Sequence, residues 1–79
     1  MIVKLKYMGV IHDNMPDMLE LEEGSDLNQL KSTLIELSSE DLKPIIQNAT
    51  FIVNDSSAKD DTILNENDKI IVLTPLGGG

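Results

Sequence analysis

Cysteine is absent from this chain, as is tryptophan, and the aromatic residues are limited to Tyr7 and Phe51. Without cysteine there is no disulfide framework, no thiolate metal site and no cysteine nucleophile. With so few rings, a core has to be assembled from Leu, Ile, Val and Met. No apolar run approaches the length needed to span a bilayer. The first nine residues hold Lys4 and Lys6 inside a short apolar stretch, which is not the pattern of a secretory signal. Bases are scarce too: six against fourteen acids, for a formal charge of -8. A polyanion would be repelled, and no basic stripe offers counterion release, so nucleic acid is disfavoured as a partner. An acidic protein of this kind pairs more readily with a basic dock, with charge raising encounter rates more than affinity. The reading is a cytoplasmic protein with no membrane partner.

What is present suffices for one small domain. The 79 residues are 41% hydrophobic, a globular composition with a modest core. "IVKLKYM" alternates, placing Val3, Leu5 and Tyr7 on one face and Lys4 and Lys6 on the other, as in a half-buried strand. "MPDMLELEE" alternates again, and the short turn region between the two runs predicts a hairpin. Met8, Met15 and Met18, near the strand ends, are expected to fill the core. Asp26 and Gln29 have capping-box spacing, and Leu27, Leu30, Leu34 and Leu37 recur at helical intervals, predicting one amphipathic helix over 27–37. "SSEDLKP" reads as a short helical turn or loop stopped near Pro44. "TFIVND" and "KIIVL" are strand-like, separated by a polar loop. The order strand, strand, helix, strand, strand fits an α+β fold of the β-grasp type: a mixed sheet of four to five strands with one main helix on one face. The domain is expected to occupy residues 1–74, followed by a flexible glycine-rich tail over 75–79.

That tail, "TPLGGG", packs no core, because glycine has no side chain and weakens any regular element it enters. Together with "FIVND" and "TILNENDKIIVL" it resembles the ubiquitin-like (β-grasp) sulfur carriers of the ThiS/MoaD family. The likeness rests on Val53-Asn54, Leu64, Asn67-Asp68, the apolar run Ile70 to Leu73, Pro75 and the closing Gly78-Gly79. The first two thirds agree in element order only. Asp55 and Asn67 stand where the family often has glycine, and both residue types tolerate a left-handed backbone. Gly77 is an addition before the glycine pair.

The resemblance implies a carrier that is no enzyme by itself. A partner related to ubiquitin-activating proteins uses ATP to adenylate the Gly79 carboxylate. A sulfur donor then converts the adenylate to a thiocarboxylate, and an acceptor enzyme, such as the molybdopterin synthase large subunit or a thiazole synthase, takes the sulfur. The carrier binds no cofactor of its own. The length of the chain and its proline-bearing tail favour the molybdopterin type over the thiamine type. On this reading Gly79 and Gly78 are the reactive end.

The tail suits that chemistry physically. An acyl-adenylate needs a site closed to water, which a folded domain is too wide to enter. Five residues, Pro75 to Gly79, span at most about 17 Å when extended, and glycines permit close backbone approach. Pro75 stiffens the exit and biases Thr74 toward extended geometry. If Ile70 and Val72 face the helix, then Ile71 and Leu73, joined by Ile52, form an apolar docking patch on the opposite face, with Pro75, Leu76 and Gly77 as further partner contacts. If the faces are reversed, those residues are core instead.

Two alternatives use the same residues. A protein modifier would be joined to lysine through Gly79, and a plain β-grasp interaction domain would not use the tail. His12, alone in a turn, reads as a solvated residue. The acids Asp60, Asp61, Glu66 and Asp68 lack EF-hand spacing and read as a solvated loop able to steer a basic partner.

Overall fold

The computed structural model describes residues 1–9 and 15–74. The alternating run at the start forms β1 (Ile2–Met8), antiparallel to β2 (Met18–Glu20). The leucine-spaced segment forms α1 (Leu27–Leu37), and α2 (Lys43–Gln47) follows. Then come β3 (Thr50–Val53), β4 (Ser56–Ser57) and β5 (Lys69–Leu73). The sheet order is β2-β1-β5-β3-β4. Strands β1 and β5 are parallel, and the other neighbours antiparallel. This is the expected α+β β-grasp arrangement, with five strands.

The start of α1 is fixed by its capping box. Gln29 N–H donates to Asp26 Oδ1 (3.0 Å), and the Gln29 side chain accepts from Asp26 N–H (3.1 Å), so two backbone donors are satisfied reciprocally. Its far end is closed by Lys43, whose ammonium donates to the carbonyls of Ile35 (2.9 Å) and Ser38 (3.0 Å). Pro44 does not stop a helix, as its sequence context suggests. It sits in the first turn of α2, where its missing N–H would have had no intrahelical partner.

Leu27, Leu30 and Leu34 from α1 and Ile46 from α2 meet Val3, Leu5, Phe51, Ile70 and Val72 from the sheet in one buried cluster. Full burial of each such side chain contributes about 1.5–3 kcal/mol. Both helices therefore lie on the same side of the sheet. Met15 packs against this cluster, but Met8 and Met18 do not fill it: they are 47% and 56% exposed. Met8 and Met18 share the outward parity of Lys4 and Lys6, so the sheet register turns them away from the helices.

Candidate functional site

Strand parity sets the composition of the helix-free face. On β5, Ile70 and Val72 are 1% and 0% exposed, whereas Ile71 is half-buried and Leu73 is 39% exposed. Ile71 lies between Lys6 of β1 and Ile52 of β3, and Leu73 between Met8 and Thr50. Ile52, Ile71 and Leu73 thus share the outward face, and Met8 adjoins them. One strand step back, Met18, Lys4 and Lys69 form the next row. The face is apolar toward the end of β5 and basic toward its start. At the basic end an open depression of about 480 Å³ is lined by Lys4, Lys6, Lys69, Asn54, Asp55 and Ile71, among others.

Two loops hold β5 in this register. The Asn54-Asp55 turn joins β3 to β4 with φ of 50° and 72°, as a two-residue hairpin loop with two left-handed residues requires. Asn67 has φ 67° just before β5. These are the positions at which the sequence substitutes Asp55 and Asn67 for glycine, in backbone that Asn and Asp tolerate. Between the turns, the buried Asp68 carboxylate accepts from Asn54 Nδ2 (2.8 Å) and from Asn65 N–H (2.8 Å). Asn54 Oδ1 in turn accepts from Lys69 N–H (3.0 Å). Asp68 is therefore a structural acid in this loop.

At the other end, β5 is anchored where the chain leaves it. Thr74 is 2% exposed, and its N–H and hydroxyl donate to the Met8 carbonyl (2.8 and 3.1 Å). Gly9, at φ 110°, lies directly against it. On the inner face at this end of β1, the Tyr7 hydroxyl donates to the Pro16 carbonyl (2.7 Å). Burial, reinforced by the negative charge of Asp17, pushes the Tyr7 phenol up to about 12.

Pro75, Leu76, Gly77, Gly78 and Gly79, and with them the reactive carboxylate inferred from sequence, lie outside the described residues, as does His12. The structure brings Ile52, Ile71 and Leu73 together on one face that runs to Thr74, the residue before that segment. Among the described residues, no group of His, Asp and Glu is placed to hold a metal ion.

A family model described as the ThiS family matches residues 6–79. The chain belongs to the ThiS family. Membership supports a sulfur-carrier role, and the members of this family are small carrier proteins without catalytic activity of their own. A similar solved structure is a chain of the complex of subunits 1 and 2 of molybdopterin-converting factor from Helicobacter pylori. It is 28% identical, covers 100% of each chain, and superposes with a TM-score of 0.69. No curated protein matches the chain. No described helix is long and apolar enough to cross a membrane.

Sequence reasoning missed three contributors to this ThiS-family surface. Lys69 and Met8 join it through the parallel β1–β5 register, a pairing between strands more than sixty positions apart that no local pattern announces. The Gly9–Thr74 contact depends on the same pairing. The outward parity of Lys4 and Lys6 is visible in the alternation, but only the register sets Lys6 beside Ile71 and Lys4 beside Lys69.

Proposed function

We propose that this chain is a sulfur carrier of the molybdopterin-converting type. Its Gly79 carboxylate attacks the α-phosphorus of ATP in the site of a partner adenylating enzyme, expelling pyrophosphate, and sulfide-level sulfur delivered by a donor displaces AMP to leave a thiocarboxylate. An acceptor enzyme, comparable to subunit 2 of the converting factor, then takes the sulfur. The observation that carries this reading is the end-to-end likeness to a chain of the two-subunit Helicobacter pylori complex, added to the family match. Residues 75–79 act as the delivery tail and residues 1–74 as the recognition body. Ile52, Ile71 and Leu73 form the apolar docking side, with Pro75, Leu76 and Gly77 as contacts along the way in. ATP is bound by the partner, not by the carrier, and the reaction is placed in the cytoplasm.

The body and the tail have separable roles. Thr74, pinned to Met8, fixes the point of departure. Beyond it, five residues reach at most about 17 Å. A partner that grips the sheet face next to Leu73 would hold the carboxylate within that radius, converting an encounter into a near-unimolecular reaction.

The test is intact-mass measurement after co-production with the adenylating enzyme and sulfur donor of the same organism. A mass rise equal to replacing one oxygen by one sulfur, lost when Gly78 and Gly79 are deleted, supports the carrier. Conjugates of high mass without thiocarboxylate would establish the modifier reading instead. Activity untouched by the deletion would establish the interaction domain.

A further inference from the structure

The apolar docking strip is one half of the open sheet face, and the other half is charged opposite to the molecule as a whole. The chain carries -8 overall with only six basic residues. Three of those, Lys4, Lys6 and Lys69, stand on the outward face of two adjacent strands, β1 and β5. Lys4 and Lys69 are direct neighbours in the register, and Lys6 is next to Ile71. Two like charges side by side on a sheet are mutually unfavourable. The ion pair found among the described residues, Lys31 with Asp60 (2.9 Å), involves none of the three. Three acids stand near them: Asp55, which lines the same depression, Glu20 on the edge strand, and Glu66, whose Oε1 accepts from Ile2 N–H (3.0 Å).

Such a cluster gathers half of the basic residues of an acidic protein on one face. We infer that Lys4, Lys6 and Lys69 form the electrostatic half of the docking face and receive a carboxylate-bearing patch on a partner protein. The position of that patch follows from the strand. Lys69 is four residues before Leu73, so at about 3.3 Å per residue it lies roughly 13 Å from the end of β5. The partner therefore presents an apolar surface beside the mouth that admits the tail, and acids about 7–13 Å further away, opposite Lys6 and then Lys4 and Lys69. The remaining acids of the carrier repel such a partner in every other orientation, so charge selects the face that points the tail inward. The inference rests on the docking reading above, but its test does not involve the chemistry at Gly79.

The experiment is nuclear magnetic resonance titration of the whole ¹⁵N-labelled chain with three synthetic peptides. They share a Leu-Ile-Phe centre and differ in flanks of glutamate, glutamine or lysine. The glutamate peptide is expected to shift the amides of Lys4, Lys6, Lys69, Ile71 and Ile52, with affinity falling as salt is raised. K4E and K69E are each expected to weaken it roughly threefold to tenfold. K59E, which makes the same change in net charge at an exposed loop position, is expected to leave it unchanged. Equal binding of the glutamine and glutamate peptides would overturn the charge inference and leave the apolar docking reading standing. No shift on this face with any peptide at millimolar concentration would overturn both. Inorganic pyrophosphate alone reproducing the lysine shifts would overturn the inference in favour of a small-anion site. Shifts that depend only on the concentration of the chain would overturn it in favour of a second copy.

Discussion

Gly9 leaves no room for a side chain against Thr74: a Cβ there would stand 2.6 Å from the Thr74 carbonyl oxygen, and closer still to its hydroxyl. Its φ of 110° is also in the region that L side chains avoid. The contact joins the end of the first strand to the residue after the last one.

Gly9→Ala should therefore destabilise the fold by about 1–3 kcal/mol, from backbone strain and forced displacement together. Urea unfolding measures this directly. Gly24→Ala serves as a comparison, because its φ of 85° carries strain while nothing lies within 4 Å of an added Cβ. The excess loss at Gly9 reads out the steric part, and equal losses at the two sites would show that Thr74 yields freely.

Asp68→Ala should cost about 1–3 kcal/mol, because it strands the Asn65 N–H and the Asn54 amide beside a buried site. Asn67→Gly should be neutral to mildly stabilising, and Asn67→Val clearly destabilising, since only the second opposes a φ of 67°. Chemical denaturation of the three variants orders them.

The chain has a single tyrosine, so its titration can be followed by ultraviolet absorbance without overlap. The Tyr7 phenol should ionise near pH 12 in the folded protein, against about 10 in the unfolded chain. The folded state holds this proton more tightly, so the stabilisation is complete below pH 10 and is lost as pH rises from 10 toward 12. Tyr7→Phe should remove that alkaline slope while also losing the bond to Pro16. An unfolding midpoint that falls equally steeply in both proteins would place the alkaline sensitivity elsewhere.

Ile71→Asp puts a charge in the centre of the open face, on a side chain that belongs to no part of the buried cluster. Thermal stability should fall modestly, by about 1 kcal/mol, because Asp is a poor strand residue at this half-buried central position. On the proposed reading, turnover by the partner adenylating enzyme should fall about tenfold or more, mostly through KM, as for the loss of a central interface contact. A fall in kcat alone would indicate misdirection of the tail rather than weakened docking.

Much of this architecture is local, and local features could be read from the sequence. Leu27, Leu30 and Leu34 repeat at the helical interval, and Asp26 with Gln29 marks where that helix starts, so α1 has the bounds its pattern predicts. Alternation in β1 and β5 assigns Leu5 and Ile70 to one face and Lys6 and Ile71 to the other. Pro44 was harder, because proline is compatible with both the end of one helix and the first turn of the next, and only the chain beyond it decides. The methionines misled for a similar reason. Hydrophobicity alone favours burial of Met8 and Met18, but strand parity overrides it. The composition of the open face is non-local throughout, since it depends on which strands become neighbours.

The middle position of β5 also has a consequence for biosynthesis. Remove residues 69–73 and the sheet separates into two small hairpins, β2-β1 and β3-β4, with no strand bridging them. Isolated hairpins of this size are marginal in water. A chain that has not yet inserted β5 therefore lacks the face on which Ile71, Leu73 and Lys69 stand beside Lys6 and Ile52. On the proposed reading, assembly of the sheet would double as proofreading, and an adenylating enzyme that grips the completed face would spend no nucleotide on an unfinished molecule.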